Sequence, residues 1–391
     1  MSESTIVISR RGSERLDQGL SWIYRSDVKS APDAAPEGAI VRVTDQRGWF
    51  RGRAFWSTRS QIALRMLTAD DVLCGRQFFL ERLRAAKALR EKLFPGNPVY
   101  RLVHGDADLL SGIVIDRYGS VLVVQLLTQG AEALRDMLVS ILRELFPEAE
   151  SIVERSDAKV RQLEGLMPVK GVLFGREPGE VEYMEGDIRL RIDPMDGQKT
   201  GGFLDQRENH LLAARYAFGE GLDCFSYTGG FALQLARHGC GHVTAVEISE
   251  AASRLIQQGA ERNGLSNVTV ETANVFDFLK AQTLSARRYD TIVLDPPSFA
   301  KNKASIDSAL RGYKEINLRA MQLIRPGGIL VSASCSFHVD EFAFEEMLRA
   351  AAADAKRSVQ IVEKHGAGRD HPVLLGMRET RYLKCFFLRV L

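Results

Sequence analysis

The chain is poor in the features that most readily define a protein's class. Nowhere do roughly 18 apolar residues run together, so no membrane span is expected. Its five cysteines (Cys74, Cys224, Cys240, Cys335 and Cys385) stand apart, with no CxxC pair and no Cys/His cluster at metal-ligand spacing. That pattern argues against a disulfide framework and offers no metal ligands. No signal peptide opens the sequence, and scattered thiols suit a reducing compartment, so a soluble cytoplasmic protein is expected. Repeats and low-complexity tracts are missing. So is the GxGxxG turn that seats a pyrophosphate, which weighs against a nicotinamide-dependent oxidoreductase. Net charge is only +2, too little by itself to indicate a polyanionic partner.

What is present is an ordinary globular composition on a long chain. With 391 residues, 45% of them hydrophobic and 26% charged, two or three domains are expected. Residues 1 to about 75 alternate short β-like runs (Thr5–Ser9, Ala39–Val43, Trp49–Phe55, Ile62–Met66) with Gly- and Pro-marked turns, which suggests a small β-barrel. Six arginines, Arg42, Arg47, Arg51, Arg53, Arg59 and Arg65, stand there against one acid, Asp45, a local balance of +5. Trp49, Phe50, Phe55 and Trp56 are interleaved with them. Aromatics among arginines can stack nucleobases, although such aromatics are more often a barrel's core.

An amphipathic helix over 77–94, with Phe79, Leu83, Ala86, Leu89 and Leu93 on one stripe, ends at Pro95-Gly96. A hairpin (Gly112–Arg117 with Val121–Leu127), a helix over 131–146 and a strand at Ser151–Glu154 make this an α+β section. The expected boundaries are 1–75 for the barrel, 76–178 for the central domain, 179–195 for a linking hairpin and 196–391 for the last domain.

That last domain alternates strand and helix, with strands at 221–225, 242–246, 267–272, 289–294, 328–334, 358–363 and 382–390. Seven strands ending in a hairpin fit an α/β, Rossmann-like class I methyltransferase better than a dinucleotide dehydrogenase. Leu222–Glu247 is its first βαβ unit. The loop FSYTGGF has an adjacent glycine pair, Gly229 and Gly230, that would let backbone approach a ligand, but no turn for a phosphate. S-adenosylmethionine therefore suits it better than NAD. Glu247, at the end of the second strand, is placed to take ribose hydroxyls, and Asn274, after the third, to accept from the adenine edge. Upstream, KTGGFLDQRENH offers Asp205 as a helix cap, and Gln206 and Arg207 at a helix N-terminus suited to a carboxylate.

Two further motifs bear on chemistry. The fourth strand stops at DPPSF, where consecutive prolines can extend neither sheet nor helix, leaving Asp295 at the strand's carboxyl end. The fifth ends in Ser334-Cys335-Ser336, just before a helix beginning near Asp340. A lone cysteine is usually a small buried hydrophobe. Here it stands at the end of the strand expected to neighbour the Asp295 strand, close to a helix N-terminus that would favour a thiolate. Carbon 5 of cytosine is a poor nucleophile until a thiolate adds to carbon 6, and an acid at the ring's polar edge stabilises the charge that develops. Cys335 and Asp295 supply that pair. No residue is identified as the base that removes the carbon 5 proton; His338 is close in sequence but reads as structural.

In these segments the chain resembles the bacterial 23S ribosomal RNA cytosine-5 methyltransferases built from a PUA domain, an α+β central domain and a Rossmann-like methyltransferase domain. The likeness runs nearly end to end: SQIALRM, LLSGIVIDRYG, ERSDAKVRQLEG, KTGGFLDQR, CFSYTGGFA, DPPSFAKNK, RGYKEIN, SCS, DHPV and YLK. It implies that residues 1 to about 75 are an RNA-binding PUA domain, with the six arginines on its RNA face. It further implies that Phe203, Gln206, Arg207, Asp223, Phe225, Tyr227, Thr228, Gly229, Gly230, Glu247, Asn274 and Asp295 surround S-adenosylmethionine. Cys335 matches the family's catalytic cysteine. The implied partner is 23S rRNA or a 50S precursor, with no metal, and a homodimer is hinted at.

Two departures stand out. Relatives usually carry an acid where this chain has Asn274, and RNA cytosine methyltransferases of another family carry a second cysteine where Ser298 stands. The rivals are a guanine-directed enzyme of the same fold, which needs no thiol, and a non-catalytic ribosome-assembly factor, which would need neither Asp295 nor Cys335.

Overall fold

The structure, a computed structural model, describes residues 4–32, 35–285, 287–300 and 302–391. Lys301 of the DPPSFAKNK stretch lies outside the described residues. The chain forms two compact units: one of Met1–Val181, Ile192–Leu204 and Arg369–Thr380, the other of Glu182–Arg191, Asp205–Gly368 and Arg381–Leu391.

The first unit holds two sheets. One has six strands, in the order Trp22–Tyr24, Ile62–Thr68, Phe50–Trp56, Ile40–Thr44, Thr5–Ile8 and Val28–Ser30. The other has five: Val169–Gly175, Ser151–Ser156, Val121–Leu126, Ile113–Tyr118 and Val99–His104. Phe55 of the first sheet and Phe79 of the long helix Arg76–Leu93 stack at 6.2 Å within one core that also holds Leu83, Ile115 and Leu142.

Several elements escape local reading. The helix Arg10–Asp17 has no apolar stripe; it is started by Ser9, whose side chain accepts from Gly12 N. Strand Val99–His104 hides its alternation because Arg101 is an interior partner of the buried Asp116, at 2.7 Å. The expected helix over 131–146 is two, Gln129–Glu132 and Arg135–Leu145. Thr128 caps the first, and a Cβ on Gly130 would meet the Phe55 ring at 2.2 Å, so packing against Phe55 positions this short turn.

In the second unit we number the sheet strands β1 (Gly219–Cys224), β2 (Cys240–Glu247), β3 (Val268–Thr272), β4 (Tyr289–Leu294), β5 (Ile324–Ser334), β6 (Val359–His365) and β7 (Lys384–Val390). Their spatial order is β3-β2-β1-β4-β5-β7-β6. All pairings are parallel except those of β7, which runs antiparallel to β5 and β6. Strands buried on both faces carry apolar residues in succession rather than alternation. Thus Ile292, Leu294, Leu330 and Phe386 face one core while Val293, Val331 and Phe387 face the other.

The helices are α1 (Arg207–Arg215), α2 (Gly230–His238), α3 (Glu250–Arg262), α4 (Val275–Thr283), α5 (Ile306–Leu323) and α6 (Glu341–Ala355). The first three cover the second of those faces and the last three the first. Strand order reverses beside β1, between β1 and β4, which puts the ligand crevice at the carboxyl ends of β1, β4 and β5. Leu294 of β4 pairs with Ser332 of β5, so Asp295 and Cys335 leave neighbouring strands on the same edge.

Candidate active site

Strand β1 enters α2 through a sharply bent loop. Phe225 and Tyr227 adopt left-handed backbone (φ 65° and 50°), and Gly229 (φ 88°) ends the loop as the cap residue of α2. Such conformations persist in larger residues only where neighbours hold them. Glu247 does so here: Oε2 accepts from Tyr227 N and Oε1 from Ser249 N, both at 2.9 Å. Thr228 is half-buried.

Asp223 holds the loop from below. Its Oδ2 accepts from Ser226 Oγ (2.7 Å) and Ala232 N (3.0 Å), whereas Oδ1, buried, has no hydrogen-bond partner among the described residues. Burial pushes this carboxyl up to about 7, against the opposing pull of Ser226, His210 and Ala232. An orphaned buried carboxylate oxygen is what an ammonium group satisfies, and each Glu247 oxygen retains a lone pair for a hydroxyl. The amino-acid and ribose ends of S-adenosylmethionine carry those two donors, so the loop fits that cofactor.

The glycine pair also has structural causes of its own. Gly229 is required by its φ. A Cβ on Gly230 would lie 2.3 Å from Cε1 of His210, so the space is filled by protein. That imidazole packs edge-on to Phe231 at 4.4 Å and meets Glu185 Oε1 at 2.6 Å. Burial disfavours its charged form, but Glu185, with Asp295 and Asp223 farther off, outweighs this and raises its pKa.

Gln206 also does something other than expected. Its Nε2 donates to Asp295 Oδ1 at 2.7 Å, its Oε1 accepts from Asn209 Nδ2 at 2.6 Å, and Asn209 Oδ1 meets His365 Nδ1 at 2.6 Å. A row of buried amides thus runs from β6 through α1 to the carboxylate of Asp295. Arg207 is buried at the first residue of α1. Asp205 is not the helix cap: Gln206 occupies that position without a side-chain bond, and Asp205 Oδ2 instead accepts from the Tyr382 hydroxyl at 2.6 Å. Asn274 caps α4, its Oδ1 accepting from Phe276 N at 2.9 Å, which leaves that oxygen one further lone pair. Phe203 belongs to the first unit, where Lys199 Nζ lies 4.3 Å from its ring centre.

Cys335 is the one cysteine of the five that is not buried. Its Sγ lies 3.9 Å from the carbonyl oxygen of Pro296, directly after Asp295. The serines on either side of it are buried and fix the turn. Ser336 Oγ meets Ser298 Oγ (3.0 Å) and Tyr313 OH (2.8 Å) and accepts from Ala300 N (3.2 Å), while Ser334 Oγ donates to Tyr313 OH at 3.0 Å. Beneath them Lys384 Nζ donates to Ser336 O (2.6 Å) and Tyr382 O (2.8 Å). Burial lowers the Lys384 pKa to about 8, and the charges of Cys335, Asp340 and Glu341 pull the other way.

The helix expected to favour a thiolate does not present a bare N-terminus. Asp340 caps α6 through Ala343 N (2.8 Å) and Glu341 follows, so two carboxylates offset the helix dipole there. Asn209, His365, Tyr313 and Lys384 were not singled out from sequence. Asn209 stands within KTGGFLDQRENH, and Tyr313 and Lys384 stand within RGYKEIN and YLK, two segments that carried the resemblance without assigning these residues a role.

Residues 6–69 match the PUA-like domain family, and residues 220–374 match a methyltransferase domain family. A ribosomal RNA large subunit methyltransferase I from Shewanella denitrificans is 41% identical over 388 residues, covering 97% of this chain and 98% of that one. Its counterpart from Erwinia tasmaniensis is 38% identical, covering 99% of each. The chain belongs to the ribosomal RNA large subunit methyltransferase I family. The whole fold is also shared with a protein from Streptococcus mutans assigned as a SAM-dependent methyltransferase (TM-score 0.83, 21% identity, covering 98% and 99% of the two chains). SMU.776, a methyltransferase solved with SAH, gives 0.84 at 22% identity over the same shares. This is the class I S-adenosylmethionine-dependent fold carrying a PUA-like N-terminal domain.

In the PUA-like domain of this family member most of the arginine cluster is already neutralised. Arg42 and Arg53 share Asp71, at 2.7 and 2.9 Å; Arg51 bonds Asp17; and Arg65 reaches the buried Glu164 at 3.0 Å. Arg47 and Arg59 are exposed and make no ion pair among the described residues. Trp56 and Phe55 are core, Phe50 lies under the Arg42 guanidinium at 4.3 Å, and Trp49 is 70% exposed. Among the described residues no group of three or more His, Cys, Asp or Glu could hold a metal ion, and no helix is long and apolar enough to cross a membrane.

Proposed function

We propose that this chain methylates carbon 5 of a cytosine in 23S ribosomal RNA through a covalent adduct on Cys335. The observation that carries this is the meeting of a partly exposed thiol with the Asp295 segment at the carboxyl ends of β4 and β5, beside a loop suited to S-adenosylmethionine. The names of the curated relatives support ribosomal RNA of the large subunit as the substrate.

Asp223 would hold the ammonium of the cofactor, Glu247 its ribose hydroxyls, and the 225–230 loop its length, with Arg207 and Asn274 completing the surround within the second unit. When bound, S-adenosylmethionine supplies an electrophilic methyl group. Cys335, as thiolate, adds Sγ to carbon 6 of the ring, and the double-bond electrons move to carbon 5, which becomes the methyl acceptor. Asp295, oriented by Gln206, contacts the ring's polar edge where charge develops. Loss of the carbon 5 proton to a base then restores the double bond, and the S–C6 bond breaks to return the thiolate. Arg47, Arg59 and Trp49 are the residues of the basic cluster left open to RNA, while Arg42, Arg51, Arg53 and Arg65 serve the domain's own structure.

RNA carrying 5-fluorocytosine tests this, because fluorine in place of the carbon 5 proton blocks release. We expect a denaturation-resistant protein–RNA complex with the unmodified chain and none with Cys335→Ala. Methylation that survives Cys335→Ala would instead support transfer to a guanine nitrogen. Absence of any cofactor-dependent methylation by the intact chain, together with no heat of cofactor binding, would point to an assembly factor.

A further inference from the structure

The turn carrying Cys335 is built around a lysine whose charge has no carboxylate to meet. Lys384 opens β7 and pairs in register with Ser334, the residue before the cysteine. Its Nζ donates to the carbonyl of Ser336, the residue after the cysteine, and to that of Tyr382. Lys384 therefore meets the turn on either side of Cys335, its backbone beside Ser334 and its ammonium at the carbonyl of Ser336. It is buried, and no carboxylate among the described residues lies within 4.0 Å of it. Burying a cation with only carbonyl oxygens as partners is costly, and the cost is recovered only where an anion forms close by.

The groups facing it are few. Asp340 and Glu341 act from the start of α6, and Glu341 is also paired with Lys364, at 3.3 Å. From β5 comes the thiol of Cys335, the first of the charges that favour the ammonium. The start of α6 cannot take over this task, since Asp340 already caps it.

We propose that Lys384 is the positioning and charge-stabilising residue of Cys335: its ammonium fixes the 334–336 turn and favours the thiolate over the thiol. This rests on Cys335 being the nucleophile. Loss of the Sγ proton to solvent then creates a thiolate beside a cation that the fold already holds, and the same cation stabilises the thiolate when the S–C6 bond breaks.

The experiment is a pH series of iodoacetamide alkylation on the full chain, with the Cys335 peptide resolved by mass spectrometry. The other four cysteines are buried, so the reaction is selective. Lys384→Gln keeps a donor for the Ser336 carbonyl but carries no charge; Lys384→Arg keeps the charge. We expect the alkylation midpoint of Cys335 to rise by about one pH unit or more in K384Q, with about tenfold slower alkylation at pH 7, and to stay at or below that of the unmodified chain in K384R. Superimposable profiles for K384Q and the unmodified chain would overturn the proposal. If K384Q fails to fold, a midpoint raised in K384R would do the same. Adduct formation on 5-fluorocytosine RNA is read in parallel: its absence in the unmodified chain refutes the nucleophile itself, whereas an intact adduct with an unmoved midpoint refutes only the lysine's part.

Discussion

The PUA-like sheet and the carboxyl-end crevice of the methyltransferase sheet both gather charged side chains, but they hold them by different means. In the first, arginine meets carboxylate: Asp71 serves Arg42 and Arg53, Asp17 serves Arg51, and Glu164 serves Arg65. In the second, neutral groups share in the holding. Gln206 bonds Asp295, Ser226 bonds Asp223, and backbone carbonyls receive Lys384. Four arginines against three carboxylates leave little of that charge open to a ligand. A charge steadied by hydroxyls or carbonyls keeps its sign, and within a protein such a charge acts more strongly than in water.

The comparison is broken most forcefully at Arg65. Arg65→Ala leaves Glu164, only 1% exposed, without its cation, and should cost about 3–5 kcal/mol of stability by urea denaturation. A loss under about 1 kcal/mol would show the pair to be dispensable and the arginine free for other work.

Gln206→Leu removes the neutral donor to Asp295 while keeping the volume. We expect kcat to fall on the order of tenfold to a hundredfold with the melting temperature little changed, from steady-state kinetics on ribosomal RNA. Unchanged kcat would mean that Asp295 needs no orientation.

Asp223 sharpens the contrast through pH. The ionised carboxylate binds a cation, so cofactor affinity measured by calorimetry should fall as pH drops below about 7, approaching tenfold per unit. Folding runs the other way. The folded value lies above the ordinary 3.8, so the protonated form favours the native state; this stabilisation is complete below about pH 4 and is lost as pH rises through about 7. Asp223→Asn should flatten both dependences.

The smallest effect is expected at the open arginines. Arg47→Ala with Arg59→Ala should lower the slope of log affinity against log salt for ribosomal RNA by about 1.4–1.8. Arg42→Ala should leave that slope nearly unchanged. Equal effects from both would dissolve the distinction between paired and open charges.

Much of the catalytic unit was legible because its signals are local. Strand and helix periods in 219–390, the abrupt stop at Pro296-Pro297 and the cysteine between two serines depend on residues a few positions apart. The central sheet was less legible. Val99–His104 and Val169–Gly175 carry charged or small residues where alternation should be apolar, and as edge strands each is paired on one side alone. The helix Arg10–Asp17 shows no stripe because little of it is buried.

By itself the sequence determined that a class I methyltransferase sheet ends in an acid and a thiol on adjacent strands, since the alternation of elements and the residues at strand ends are written consecutively. Only the tertiary structure decided what each polar group does. Gln206 reaches Asp295 across 89 positions, and Lys384 reaches Ser336 across 48. Gly230 is there for the ring of His210, and four arginines are paired with acids that lie off the strands carrying them. The strength of a charge is set by burial and by its partners, and both come into being only when distant segments pack together.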